Sequence, residues 1–106
     1  ARVLDKEGIS IEVLDLRTLM PLDMETVLAS VAKTSKVIVA HEDNLTGGFG
    51  GEVAARIGAE GFELLDAPVK RLGAEDCHVP YAWTLESEIL PQDKDLIAAA
   101  RTLAAY

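Results

Sequence analysis

The sequence has little cysteine, few aromatic residues and few positive charges. Its one cysteine, Cys77, excludes an internal disulfide and is typical of a reducing compartment. Ten basic side chains stand against 18 acidic ones, and the net charge of −8 argues against nucleic acid as a partner. No apolar run approaches the ~18 residues of a membrane span. An acidic surface of this kind suits a basic protein partner, or simply keeps the protein soluble.

The 106 residues are 49% apolar, which is enough for the core of one domain. β-branched runs alternate with segments that repeat apolar residues at helical spacing, so the sequence predicts an α/β fold. We expect three layers, α/β/α, around a mostly parallel sheet. The predicted helices cover residues 1–7, 23–36, 49–60, 84–90 and 92–105, and the predicted strands cover residues 9–16, 37–40, 62–65 and 69–72.

A glycine-rich turn follows the predicted strand at residues 37–40, where ligand sites of α/β sheets often lie. Gly48 and Gly50 fit the start of a dinucleotide fingerprint, but Val53 occupies its third glycine position. A P-loop would need a Lys-Ser/Thr pair where Glu52 stands, and Glu52 would repel an anion at a helix N-terminus. We therefore interpret the glycines as allowing a tight turn and close packing of helix on strand.

Three polar residues, His41, Glu42 and Asp43, precede that turn and include candidate acids, bases and metal ligands. Consecutive residues of a strand point in different directions, so these side chains are not expected to converge on one ion. The favoured interpretation is that hydrogen bonds hold His41 beneath the sheet edge, while Glu42 caps or pairs locally. Both remain secondary functional candidates. Cys77 and His78 are adjacent in sequence and do not make a convincing nucleophile and base.

Asp66 and Tyr106 leave two interpretations open. Asp66 precedes a proline turn that it can cap, and a terminal carboxylate is usually a frayed, solvated charge. Alternatively, both are fixed negative charges that an arginine-rich partner can engage. The residues alone favour the first interpretation, since surface charge is the norm.

Four segments in order carry a family resemblance: EVLDLRTLMPLD at 12–23, His41-Glu42 with LTGGFG at 45–50, LDAPVKR at 65–71, and VPYA at 79–82. They resemble the C-terminal domain of the β subunit, or β half, of thiamine diphosphate-dependent 2-oxo acid dehydrogenases. That domain is of the transketolase C-terminal type, and the resemblance covers residues 1–106. His41-Glu42 with Leu-Thr-Gly-Gly-Phe favours the branched-chain (2-oxoisovalerate) type.

The sequence also departs from the family. His78 stands where the family's Asp-x-Pro-x-Pro segment has its first proline. The family domain begins earlier, with a further strand, so we expect residues 1–106 to be a fragment of a longer chain. Its sheet is then incomplete or filled by another chain.

The resemblance implies a non-catalytic assembly domain of an oxidoreductase complex, in a bacterial cytoplasm or a mitochondrial matrix. Thiamine diphosphate and magnesium would bind elsewhere in the parent enzyme, so no catalytic, cofactor or metal residues are expected here. The implied partners are the dehydrogenase α subunit or a second β subunit, and the peripheral subunit-binding domain of the acyltransferase. Arginines of that last partner would meet Asp66 and the carboxylate of Tyr106.

Two alternatives remain. The chain is the C-terminal domain of another transketolase-like enzyme, such as transketolase or deoxyxylulose phosphate synthase, or it is a free-standing ligand-binding α/β module that uses the turn at residues 47–51.

Overall fold

A parallel pair of strands lies at the centre of the fold. The computed structural model describes residues 1–75 and 90–106. Strand β1 (Ile38–Asn44) pairs in parallel with β2 (Lys70–Ala74), with Ile38 opposite Lys70 and an irregularity between Ala40 and Asn44. The helix α3 (Phe49–Gly61) lies between them in sequence and contacts both strands. This strand–helix–strand unit confirms the predicted α/β class.

Helix α2 (Met24–Thr34) begins where the sequence predicts. The Asp23 side chain accepts hydrogen bonds from the backbone amide of Thr26 at 3.1 Å and from its hydroxyl at 2.7 Å. Such a cap satisfies amides that have no partner within the helix. The helix ends at Ser35, which adopts a left-handed conformation with φ of 62°.

The first and last helices of the chain are also those expected from the sequence. Helix α1 (Arg2–Asp5) is followed by Gly8 with φ of +80°, a conformation that favours glycine. Helix α4 (Asp93–Ala104) begins with a capping box, in which Gln92 and Asp95 each accept from the other's backbone amide.

The core lies between α2, α3 and one face of β1. Its buried residues repeat at helical spacing on the two helices, and Val37 and Val39 pack against them from the strand. Ile57 and Val31 are each only 1% exposed. Burying a side chain of this size contributes roughly 1.5–3 kcal/mol. The buried residues of this core are Met24, Val27, Val31, Val53 and Ile57.

Residues 9–16 are not a strand, which corrects the sequence prediction. They carry no regular structure, and Val13 is 75% exposed. Within the described ranges the sheet contains β1 and β2 only, and this segment pairs with neither. Leu16 packs against the core, and the Glu12 carboxylate accepts from Lys33 Nζ at 2.6 Å. An apolar run therefore lies along α2 without joining the sheet.

Residues 62–65 are also not a strand. Phe62–Leu64 form a 3-10 turn that continues directly from α3, and the Leu65 amide donates to the Phe62 carbonyl at 3.2 Å. Tightening of the last helical turn in this way is common. Of the predicted helix at residues 84–90, all but the last residue lies outside the described residues, as do Cys77, His78 and the segment at 79–82.

An ion pair joins the two ends of the described chain. Arg101 on α4 donates from Nε and Nη2 to the two carboxylate oxygens of Glu7, at 2.9 and 2.5 Å. The hydrogen bonds from Arg101 lower the pKa of Glu7 below its ordinary value of 4.5. Two-point Arg–carboxylate pairs of this kind fix geometry as well as charge.

This pair makes the stability of the fold pH-dependent. Because the folded pKa of Glu7 lies below 4.5, its contribution is complete above that pH and is lost as the pH falls through the folded value. We expect the urea midpoint of the unmodified chain to exceed that of Glu7→Gln slightly at neutral pH. The two midpoints should converge as the pH falls through the folded pKa of Glu7, below 4.5. Equal midpoints at neutral pH, or a gap that persists in acid, would contradict the assignment.

Candidate functional site

His41 lies on the core face of β1, in line with Val37 and Val39. Its ring packs against three glycines: Gly48 and Gly50 at the start of α3, and Gly73 on β2. Neither ring nitrogen is solvent-accessible, and neither has a hydrogen-bond partner among residues 1–75 and 90–106. The expectation that hydrogen bonds hold His41 is therefore wrong for the described residues, because backbone packing encloses the ring instead.

The glycines are required by close contacts, as the sequence analysis proposed. A Cβ added at Gly50 would lie 2.2 Å from both Cδ2 and Nε2 of His41. One added at Gly48 would lie 2.0 Å from the backbone oxygen of Asn44, and Gly47 has φ of +76°. These distances are far below van der Waals contact. The tight turn and the close approach of α3 to β1 are therefore possible only because these residues are glycines, which have no side chain.

Gly73 is the one of the three glycines around the His41 ring that the sequence analysis did not identify. A Cβ there would lie 2.9 Å from His41 Cε1 and 2.9 Å from the Asp43 backbone oxygen. The predicted strand at residues 69–72 stops one residue before this glycine, whereas β2 continues to Ala74. A glycine within a strand indicates that another group approaches closely, so only the longer strand of the structure gives residue 73 that meaning.

Glu42 and Asp43 do not join His41 in a chemical site. Both are exposed, and strand alternation directs Glu42 away from the face that His41 occupies. Among the described residues no group of three or more His, Cys, Asp or Glu side chains is arranged to hold a metal ion. His41, Glu42 and Asp43 are therefore adjacent in sequence but do not form one site.

An open cleft of about 990 Å³ lies between the Leu19–Leu22 loop and the first turns of α3. Asp43, Glu52, Arg56 and Arg71 are among its lining residues. Both cations have partners nearby: Arg71 donates to the Leu45 carbonyl at 3.1 Å, and Arg56 pairs with Glu60 at 3.3 Å. With two carboxylates present and both guanidinium groups engaged, the cleft does not favour an anionic ligand.

The structure places Asp66 and the end of α4 against the same loop. The Asp66 amide donates to the Ser35 carbonyl at 2.8 Å, and Lys36 Nζ donates to the Ala104 carbonyl at 3.2 Å. The Asp66 side chain is exposed, and Tyr106 is 72% exposed. The loop formed by Ser35 and Lys36 thus contacts Asp66 on one side and Ala104, two residues before Tyr106, on the other.

Parallel strands joined by a helix, with a glycine turn packed on a strand histidine, define an α/β domain whose glycines serve packing. The chain belongs to the transketolase C-terminal domain family, whose sequence model matches residues 1–96. In the part of the chain that the structure describes, no helix is long and apolar enough to cross a membrane.

Three of the proteins similar to this chain are β subunits of the pyruvate dehydrogenase E1 component. The chain is 44% identical over 101 residues to the pyruvate dehydrogenase E1 component subunit beta-2, mitochondrial, of Oryza sativa subsp. japonica, covering 95% of this chain and 27% of that protein. It is 38% identical over 106 residues to the pyruvate dehydrogenase E1 component subunit beta of Rickettsia conorii, covering 100% of this chain and 32% of that protein. The mitochondrial subunit beta of Pisum sativum is 42% identical over 101 residues, covering 95% of this chain and 28% of that protein.

These relatives do not support the branched-chain type that the sequence favours, because all three are named for pyruvate dehydrogenase. The chain spans about a third or less of each relative's length, from 27% to 32%.

Proposed function

We propose that this chain is an assembly domain of a pyruvate dehydrogenase E1 β subunit, within a thiamine diphosphate-dependent 2-oxo acid dehydrogenase. Its role is to support subunit association, with an α subunit or a second β subunit, and to dock the acyltransferase core. The observation that carries the docking role is the placement of Asp66 and the end of α4 on one loop, Ser35–Lys36. Similar proteins named as mitochondrial, and one from Rickettsia, support a mitochondrial or bacterial location, in a reducing compartment.

The described residues do not fit thiamine diphosphate. A helix N-terminus can bind a diphosphate through its free amides, but Glu52 occupies the first turn of α3 and Asp43 lies in the same cleft. Two carboxylates there oppose an anion. In this proposal the cofactor and its magnesium bind elsewhere in the parent enzyme, and this domain takes no part in the chemical steps.

Charge supports docking of a basic partner. The chain carries a net charge of −8, Asp66 and Tyr106 are both exposed, and the Ser35–Lys36 loop contacts Asp66 and the end of α4. Arginine forms paired hydrogen bonds with carboxylates, so two carboxylates on one surface suit an arginine-bearing domain. The small, basic peripheral subunit-binding domain of the acyltransferase is the partner that this surface would engage.

Titration calorimetry with that purified binding domain tests the proposal. We expect saturable binding to the β subunit assembled with its α subunit, weakening as salt rises, because exposed charges are screened. The 106-residue chain alone should not decarboxylate pyruvate when given thiamine diphosphate and Mg²⁺. An assembled subunit that fails to bind would favour a transketolase or deoxyxylulose phosphate synthase, and turnover by the isolated chain would contradict a non-catalytic role.

A further inference from the structure

We propose that Lys36 is a positioning residue for the docking surface: it holds the C-terminal end of α4, and with it Tyr106, beside the Asp66 loop. This inference rests on the proposed docking function. In this proposal Lys36 keeps the carboxylates of Asp66 and Tyr106 close enough together to form one binding site for arginine side chains. Lys36 itself is not a contact for the partner in this proposal.

The burial of Lys36 is the first observation. All five lysines lie within the described residues; four are exposed, and Lys36 alone is partly buried. Lysine is seldom buried, since ordering its long side chain and removing its charge from water both cost free energy. A lysine held in this way needs a compensating interaction.

The compensation comes from the end of α4. Lys36 Nζ donates a hydrogen bond to the carbonyl of Ala104, the last residue of that helix. The final carbonyls of a helix have no partner within it, and they carry the negative end of the helix dipole. Loss of Lys36 should therefore let the last residues fray.

The other side of the same loop holds Asp66. Ser35 accepts from the Asp66 amide at 2.8 Å, and its left-handed φ of 62° sets the direction in which the chain leaves α2. The hydroxyl of Thr34 donates to the Lys36 carbonyl at 3.3 Å and to the Ser30 carbonyl at 3.0 Å, which fixes the loop on the helix. One loop thus bridges two segments that the sequence keeps far apart.

The test compares Lys36→Met with Lys36→Arg in the assembled subunit, using calorimetry with the purified binding domain. We expect Lys36→Met to weaken binding about two- to fivefold, the size of a helix-end charge interaction. Lys36→Arg, which keeps the cation and its donors, should bind like the unmodified protein. Lys94→Met removes the same charge from an exposed position at the start of α4 and should leave affinity unchanged.

A second arm separates positioning from a general effect. In a subunit lacking Tyr106, Lys36→Met should cause little further loss, since the truncation has already moved the terminal carboxylate back to Ala105 and out of its docking position. Unchanged or tighter binding by Lys36→Met, or a loss that adds in full to that of the truncation, would overturn the inference. If Asp66→Ala and removal of Tyr106 both leave affinity unchanged, the docking function itself fails and this inference fails with it.

Discussion

Replacing Gly50 with alanine is expected to destabilise the chain by about 1–3 kcal/mol, the usual cost of adding a methyl group to a packed site. The added Cβ would lie 2.2 Å from two ring atoms of His41. That ring is not a flexible side-chain end that can swing into solvent, because Gly48 and Gly73 enclose it as well. Either α3 must move away from β1 or the histidine must leave its place. Urea unfolding followed by circular dichroism measures the loss.

Two variants make this test specific. Gly58→Ala, in the same helix, meets nothing within 4 Å of its new Cβ and should stabilise the chain by roughly 0.5–1 kcal/mol through helix propensity. In a His41→Ala background, Gly50→Ala should lose much of its cost, because the atoms that it strikes are gone. A penalty for Gly50→Ala that is unchanged in that background would show that the histidine is not the cause.

Loss of the Asp66 carboxylate or displacement of the terminal one is expected to have the largest effect on partner binding. In the assembled subunit, Asp66→Ala should weaken binding of the acyltransferase domain by ~2–5 kcal/mol, the cost of leaving one member of a desolvated ion pair unpaired. Deletion of Tyr106, which moves the terminal carboxylate back to Ala105, should also weaken binding, because the pair then loses its geometry. Calorimetry at several salt concentrations measures the change.

A matched control is available close to Asp66. Glu63→Ala removes the same charge from another exposed residue three positions earlier, and its effect should be much smaller. Equal losses for Glu63→Ala and Asp66→Ala would show a general electrostatic effect in place of a defined pair. Unmodified affinity in both Asp66→Ala and the Tyr106 deletion would contradict the docking role.

Features that depend on near neighbours were predictable from the sequence. Asp23 caps α2, and the turn after α1 closes with Gly8. Both features involve residues only a few positions apart, so the preferences of single residues decide whether they form. The glycine turn was interpreted correctly because the phosphate motifs could be excluded residue by residue. Local chemistry therefore located most of the helices.

Features that depend on distant partners were not predictable in this way. Residues 9–16 have the composition of a buried strand, but composition does not reveal whether a strand lies beside them. The contact between Lys36 and Ala104 spans 68 positions, and no pattern in either segment indicates it. The packing of Gly73 on His41 likewise joins separate strands. The sequence thus indicated which residues belong to the candidate site, but only the fold shows how they are arranged.

The pairing of α1 with α4 has a consequence for synthesis. Helix α1 has four residues, too few to be stable alone, and its Leu4 is only 2% exposed in the folded chain. The groups that fix it, among them Arg101, leave the ribosome almost a hundred residues later. Until then Leu4 has no α4 to pack against, and closing so long a loop is slow. Residues 1–8 can therefore take their folded position only once α4 has been made, and Leu4 stays accessible to chaperones and proteases until then.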